Sequence, residues 1–276
     1  MYFSVLMSVY KSDDPLFLDR ALESLVEQTI KSFKLILVYD GPITSELEYV
    51  VAKYLNVLNV KVIRLESNLG LGFALREGLL ECDSEWVFRM DSDDICRSYR
   101  FEVQIAKIKS VGGNVDLLGG WIEEFDSVPG DSVVERKVPT SNEDIYSAIG
   151  LYSPFNHVTV AFKKDAVLRS GSYRGGKNFQ EDLDLWIRMA GRDCKFLNLP
   201  MVLVDVRGGD GMLGRRGGGR YLYNELKIGL MGVRLGVIPF YRFVYLLPLK
   251  IVSRISPLFV RKYVYKVARK VINKGT

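Results

Sequence analysis

An open α/β architecture, with a mostly parallel central sheet flanked by helices, follows from three features of the sequence. Short continuous apolar runs alternate with amphipathic stretches through the first 120 residues, acidic residues recur where those runs end, and a basic segment closes the chain. Unbroken runs fit strands buried on both faces of a parallel sheet, and strand–helix alternation means βαβ crossovers.

The elements fall in order. "YFSVLMSVY", "FKLILVYD", "VKVIRLE", "EWVFRMD" and "VDLLGGW" read as strands. In "PLFLDRALESLVEQT", Leu18, Ala21, Leu22, Leu25 and Val26 share one helical face, with Asp13 or Asp14 as cap and Pro15 in the first turn. Ser45 and Glu48 have capping-box spacing and open a second helix, and "LGFALREGLLEC" is a third. Residues 121–139 alternate around Pro129-Gly130-Asp131 and predict a hairpin. "HVTVAF" (157–162) reads as a strand, followed by a short helix over 164–170. "EDLDLWIRMA" is amphipathic, and the glycines of 208–219 read as a loop.

Charge is unevenly spread along the 276 residues. The net charge is +5, but from Arg207 onward 15 Lys/Arg face 2 Asp/Glu, so the body is acidic and the tail basic. Such a tail suits an anionic surface. In "VRKYVYKVARKVINK", Val260, Tyr263, Val264, Val267, Ala268 and Val271 share a helical face, with Arg and Lys on the remainder. Upstream, an apolar stretch is broken by Pro239, Pro248 and Pro257. A helix of this kind lies in the membrane interface, or else packs on the protein's own core. No RRM, KH or OB signature is present, so nucleic acid is not an expected partner. Three scattered cysteines without a CxxC pair suggest a reducing compartment. The start enters an apolar strand with no basic leader, and no run reaches about 18 apolar residues, so a cytoplasmic chain without a spanning helix is expected.

"RMDSDD" places Asp91, Asp93 and Asp94 at a strand end, and Asp40 ends another. Ligands of open α/β sheets bind at the carboxyl edge. Mg²⁺ or Mn²⁺ is held by one or two carboxylates plus substrate phosphates. The bland alternative is that Asp93 or Asp94 caps a helix starting near Arg97. Asp182 has the same alternative, as a first-turn acid favoured by the helix dipole. Asn68 and Gly70 fit a turn, Arg76 a surface ion pair, and His157, the sole histidine, a half-buried structural role.

"SVLMSVY", "LVYDGP", "SNLGLGFALREG", "RMDSDD" and "QEDLDLWIRM" occur in the order and spacing of one family. The chain resembles inverting nucleotide-sugar glycosyltransferases of family 2, which have the GT-A fold, and among them enzymes that build O-antigen or exopolysaccharide. The resemblance covers about residues 1–225, with 1–120 as the nucleotide-sugar half and 121–225 as the acceptor half; 226–276 would be a helical tail. It implies that Asp40 contacts the base, Asp91 the ribose, and Asp93 (with Asp91) an Mn²⁺ or Mg²⁺ ion. Asn68 and Arg76 would lie beside the nucleotide, and Arg215 and Arg216 would clamp phosphate. Asp182 would be the catalytic base, with His157 and Glu181 on the acceptor side. Tyr39 and Pro42 depart from the family's "DDGS".

The expected activity is transfer of a hexose, from a UDP-sugar, to a polyprenyl-diphosphate-linked acceptor at the inner face of the plasma membrane. The alternatives are a degenerate homologue serving as a membrane scaffold and a sugar-phosphate nucleotidyltransferase. The latter needs a glycine-bearing loop after the first strand, which "MSVYKSDDP" lacks.

Overall fold

The structure, a computed structural model, describes residues 1–131, 134–174, 180–208 and 218–256. The strands are β1 (Phe3–Val9), β2 (Phe33–Tyr39), β3 (Val60–Arg64), β4 (Trp86–Arg89), β5 (Ile95–Cys96), β6 (Leu117–Phe125), β7 (Val134–Arg136), β8 (Ala161–Lys163) and β9 (Phe196–Arg207). They form a mixed sheet in the order β3-β2-β1-β4-β8-β6-β9-β5, with β7 added to β6. Pairing is parallel through β3, β2, β1 and β4 and between β6 and β9. It is antiparallel where β8 bridges β4 and β6.

Helices cover both faces. On one lie α1 (Pro15–Val26), α2 (Ser45–Tyr54) and α4 (Arg100–Ser110), whose Leu18, Leu22, Leu47 and Phe101 pack against Phe3, Leu35 and Phe88. On the other lie α3 (Leu71–Leu80), α5 (Asn142–Ala148), α6 (Lys164–Arg169) and α7 (Glu181–Ala190). There Leu75, Ile145, Val167 and Trp186 pack against Leu6, Ile36 and Phe162. Two further helices, α8 (Gly219–Arg234) and α9 (Phe240–Ile255), pack on one another, tied by Arg254 Nε to Glu225 Oε2 at 2.8 Å.

Several expectations sharpen or change. Of the two candidate caps of α1, Asp13 and Asp14, the cap is Asp14, which accepts from Leu16 N at 2.8 Å. Thr44, one residue before Ser45, caps α2, because its extended backbone turns the hydroxyl toward Leu47 N. His157–Thr159 is a 3-10 turn, and only Ala161–Lys163 of that segment is strand. Thr159 Oγ1 bonds back to Asn156 O at 2.8 Å, offering the backbone a turn instead of a ladder. Pro248 does not break the chain, since α9 runs through it, whereas Pro239 stands at its cap. The hairpin over 121–139 forms as β6 and β7, its turn held by Asp131, which accepts from the N–H groups of Asp126, Ser127 and Val128. The tail helix expected from Val260 onward lies outside the described residues. Among the described residues no helix is long and apolar enough to cross a membrane. Cys82, Cys96 and Cys194 are all buried and free, and burial pushes the Cys82 thiol up to about 12.

Candidate active site

The carboxyl edge of the parallel strands gathers the acids. β2 ends at Tyr39, and the buried Asp40 that follows accepts from Leu69 N at 2.8 Å and Gly70 N at 3.0 Å. Asn68 donates to the Asp40 carbonyl at 3.3 Å, so Asp40 and the 67–70 loop are one unit. Arg76 sits on α3, ion-paired with Glu77 at 3.0 Å and stacked on Phe73.

β4 delivers the second group. Its buried Arg89 grips the Asp91 carboxylate through both terminal nitrogens. Asp13 accepts from Ser92 Oγ at 2.8 Å and fastens the loop from the other side, and burial raises the Asp13 carboxyl to about 6. The Asp94 carboxylate accepts the Arg207 backbone N–H at 2.9 Å. Asp94 is therefore not a helix cap: α4 begins only at Arg100, after the two-residue β5 has paired with β9.

The carboxylate oxygens of Asp91, Asp93 and Asp94 lie within 4.8 Å of one another. Asp93 is exposed at the surface, yet desolvation within the crowded acidic loop, then the negative charge of Asp91, raises its carboxyl to about 6. Asp93 makes no hydrogen bond to another side chain among the described residues, whereas Asp91 and Asp94 are engaged. One free hard-oxygen ligand with a second carboxylate beside it fits a Mg²⁺ or Mn²⁺ ion that completes its shell with phosphate and water. Arg207 adds a cation beside Asp93 and Asp94. Its guanidinium is held 3.6 Å from the Phe17 ring centroid and 4.7 Å from that of Phe125, with Nε and Nη2 buried and unpartnered.

The third group opens α7. Gln180 occupies the cap position without a side-chain cap bond, and Glu181, Asp182 and Asp184 fill the first turn, where the helix dipole favours negative charge. Burial, then repulsion by Asp182, raises Glu181 to about 7. Ser153 Oγ donates to Asp182 Oδ2 at 3.4 Å. Arg136 of β7 fixes the segment around Ser153, donating to Ser153 O at 2.9 Å and Asn156 Oδ1 at 2.6 Å. His157 Nε2 bonds the Tyr173 hydroxyl at 2.9 Å; burial and the nearby Arg89 hold the imidazole well below its ordinary range, hence neutral. Arg89 and Tyr173 lie within electrostatic reach of Asp91 and Glu181. Gly72 allows this closeness: a Cβ there would stand 2.4 Å from Arg174 O and 3.3 Å from Glu181 Cβ.

The structure thus brings together Asp91, Asp93, Glu181, Asp182 and His157, with Asp40 and Asn68 at the end of β2, separated from β4 by β1. Arg76 is engaged locally, and Arg215 and Arg216 lie outside the described residues. Ser153, Arg136, Tyr173 and Arg89 were not singled out from the sequence, and Asp13 only as a candidate helix cap. Only Arg89, a charge inside an apolar strand, carried a local signal.

The mixed α/β sheet, with acids at the carboxyl edge of its parallel strands and three further acids opening α7, has the GT-A architecture. The chain belongs to glycosyl transferase family 2, whose model matches residues 4–173. It is 40% identical over 264 residues to the UDP-Gal:alpha-D-GlcNAc-diphosphoundecaprenol beta-1,3-galactosyltransferase of Escherichia coli, covering 96% of this chain and 95% of the relative. It is 37% identical over 268 residues to the amylovoran biosynthesis glycosyltransferase AmsE of Erwinia amylovora, covering 97% and 99%. Among solved structures, Staphylococcus aureus TarS 1-349 in complex with UDP-GlcNAc matches with a TM-score of 0.65 at 20% identity, over 83% of this chain and 65% of that longer one. The protein is a glycosyltransferase.

Proposed function

We propose that the enzyme transfers a hexose from a UDP-sugar, with inversion, to a sugar carried on a polyprenyl diphosphate, in the synthesis of a bacterial surface polysaccharide. The observation that carries this reading is the approach of two acid groups: the Asp91–Asp93 carboxylates at one strand end, and the acids opening α7, where Glu181 feels the charges of both Asp182 and Asp91. The galactosyltransferase relative, whose name gives a UDP donor and a diphosphoundecaprenol acceptor, supports the substrate classes.

Each residue then has a task. Asp40 and Asn68 shape the loop beside the base, and Asp91 takes a ribose hydroxyl while Arg89 fixes its orientation. Asp93, with Asp91, would hold the Mn²⁺ or Mg²⁺ ion, which when bound neutralises the diphosphate of the leaving nucleotide. Arg207, and beyond the described residues Arg215 and Arg216, contribute further positive charge to that diphosphate. Asp182 accepts the proton of the acceptor hydroxyl as its oxygen bonds to the anomeric carbon and the bond to UDP breaks. Ser153 orients Asp182, and neutral His157, tied to Tyr173, lines the acceptor side together with Glu181. The acidic 1–120 half and the 121–225 half would serve donor and acceptor. The 226–276 extension would hold the enzyme peripherally on the inner face of the plasma membrane.

Asp182→Asn is the direct test. UDP and Mn²⁺ affinity should be retained while transfer falls by about 10²–10⁴-fold. Near-normal turnover in that variant would sink the assignment. A panel of UDP-sugars assayed for metal-dependent hydrolysis identifies the hexose.

A further inference from the structure

The start of α9 docks beside the acceptor side of the site. Ile238, buried just ahead of the helix, packs on Gly150, whose φ of +94° and missing Cβ admit it: a Cβ would meet Ile238 Cδ1 at 3.0 Å. One turn on, Arg242 Nη1 donates to Ser147 O at 2.8 Å. Arg242 also lines a groove of about 560 Å³, together with Leu151, Tyr241, Tyr245 and Leu246. That volume is within the roughly 300–1,000 Å³ of ligand clefts. Its walls are apolar and open: Leu151 is 45% exposed, Tyr241 73% and Tyr245 76%.

Three observations select an occupant. Leu151 is two residues from Ser153, the partner of Asp182, so the groove begins no more than about 7 Å of extended chain from the acceptor side. Arg242 has no carboxylate partner among the described residues, and residues 237–276 contain no acid, so the groove's cation is available to an anion. An apolar trough lined by one guanidinium that has no carboxylate partner among the described residues complements a molecule that joins an anionic group to a hydrocarbon chain.

We propose that this groove binds the isoprenoid units nearest the diphosphate of the lipid-linked acceptor, with Arg242 supplying the cation for that diphosphate; the site rests on the acceptor class proposed above. The acceptor sugar then lies toward Ser153 and Asp182, and the rest of the lipid leaves over the exposed face of Leu249 and Val252. Chain recognition by the groove gives the enzyme a preference for polyprenyl carriers that its sugar contacts alone would not provide.

The test uses the full chain and farnesyl diphosphate as probe, read by calorimetry, with pyrophosphate as control. Farnesyl diphosphate should bind the wild type more tightly than pyrophosphate. Tyr245→Ser and Leu151→Ser, both at exposed positions, should weaken it by at least about tenfold without altering the melting temperature. Arg242→Gln should weaken farnesyl diphosphate and leave farnesol unchanged. Absence of binding to the wild type, or equal binding to the variants, overturns the proposal. So does loss of flotation with phosphatidylglycerol vesicles while farnesyl diphosphate affinity persists, which would make the face a membrane contact. Transfer to a polyprenyl-diphosphate acceptor with unaltered probe binding in the variants would remove the groove and leave the reaction standing. Variant-sensitive binding without such transfer would keep the groove and remove the acceptor assignment.

Discussion

Asp94 and Arg207, 113 residues apart, are joined by a 2.9 Å hydrogen bond from the backbone N–H of Arg207 to the Asp94 carboxylate. The bond fixes the acidic loop after β4 to the end of β9, the strand that presents the Arg207 guanidinium. Burial, then repulsion from Asp93 and Asp91, pushes the Asp94 carboxyl well above its usual range. Asp94→Ala should cost about 1 kcal/mol by leaving a half-buried N–H without its partner, and should raise the donor KM. Asp94→Asn should retain most of both, as thermal melts and donor titrations would show.

Asp40 holds the 67–70 loop through two backbone N–H groups. Asp40→Asn keeps one acceptor oxygen and places an amide against the other N–H. The variant should lose about 1–3 kcal/mol and bind UDP more weakly, with kcat at saturating donor less affected. Equal melting temperatures for variant and wild type would contradict the role.

The cation site should titrate. Asp93 must be ionised to bind a metal ion, and its carboxyl sits at about 6 because of desolvation and Asp91. Mn²⁺ affinity in the presence of a UDP-sugar, whose diphosphate has no group titrating in this range, should therefore rise from pH 5 toward 7 and level off above it. A profile flat over that range would place the principal ligand elsewhere, and Asp93→Asn should abolish the dependence.

Glu181 gives stability a pH dependence of opposite sense. Its folded-state value of about 7 stands above the ordinary carboxylate value, so the folded protein binds the extra proton. Stability is then greatest below the unfolded value and falls as pH rises through about 7. Glu181→Gln should flatten the decline in melting temperature between pH 5.5 and 8, measured without metal or donor.

Gly72→Ala introduces a methyl against a backbone oxygen, Arg174 O, at 2.4 Å. The main chain must shift, at a cost of about 1–3 kcal/mol. Because Glu181 is the next neighbour, transfer should fall by more than the loss of stability explains, which paired melts and rate measurements would reveal.

The parallel half of the sheet was legible because β1, β2 and β4 are near-continuous apolar runs, buried on both faces. The acids at their ends could be placed for the same reason, since a strand's end fixes an edge of the sheet. β5 could not be read: two residues, Ile95 and Cys96, become a strand only by pairing with Asp205 and Val204. That pairing delays α4 to Arg100 and turns Asp94 from an expected cap into a tie to β9. The 3-10 turn at His157 was hidden by β-branched neighbours and decided by the Thr159 hydroxyl. The catalytic role of Asp182 was legible only through family resemblance, since an acid in a first helical turn has an ordinary explanation; its partner Ser153 comes from a distant loop.

The three native thiols are all sequestered, and a thiol held in the protonated form reacts slowly with maleimides. A cysteine introduced at exposed Leu249, outside the groove wall but on the path by which the lipid leaves, would therefore be the single fast-labelling position on the native enzyme. An environment-sensitive dye attached there would report arrival of a hydrocarbon chain in real time, without removal of any natural cysteine.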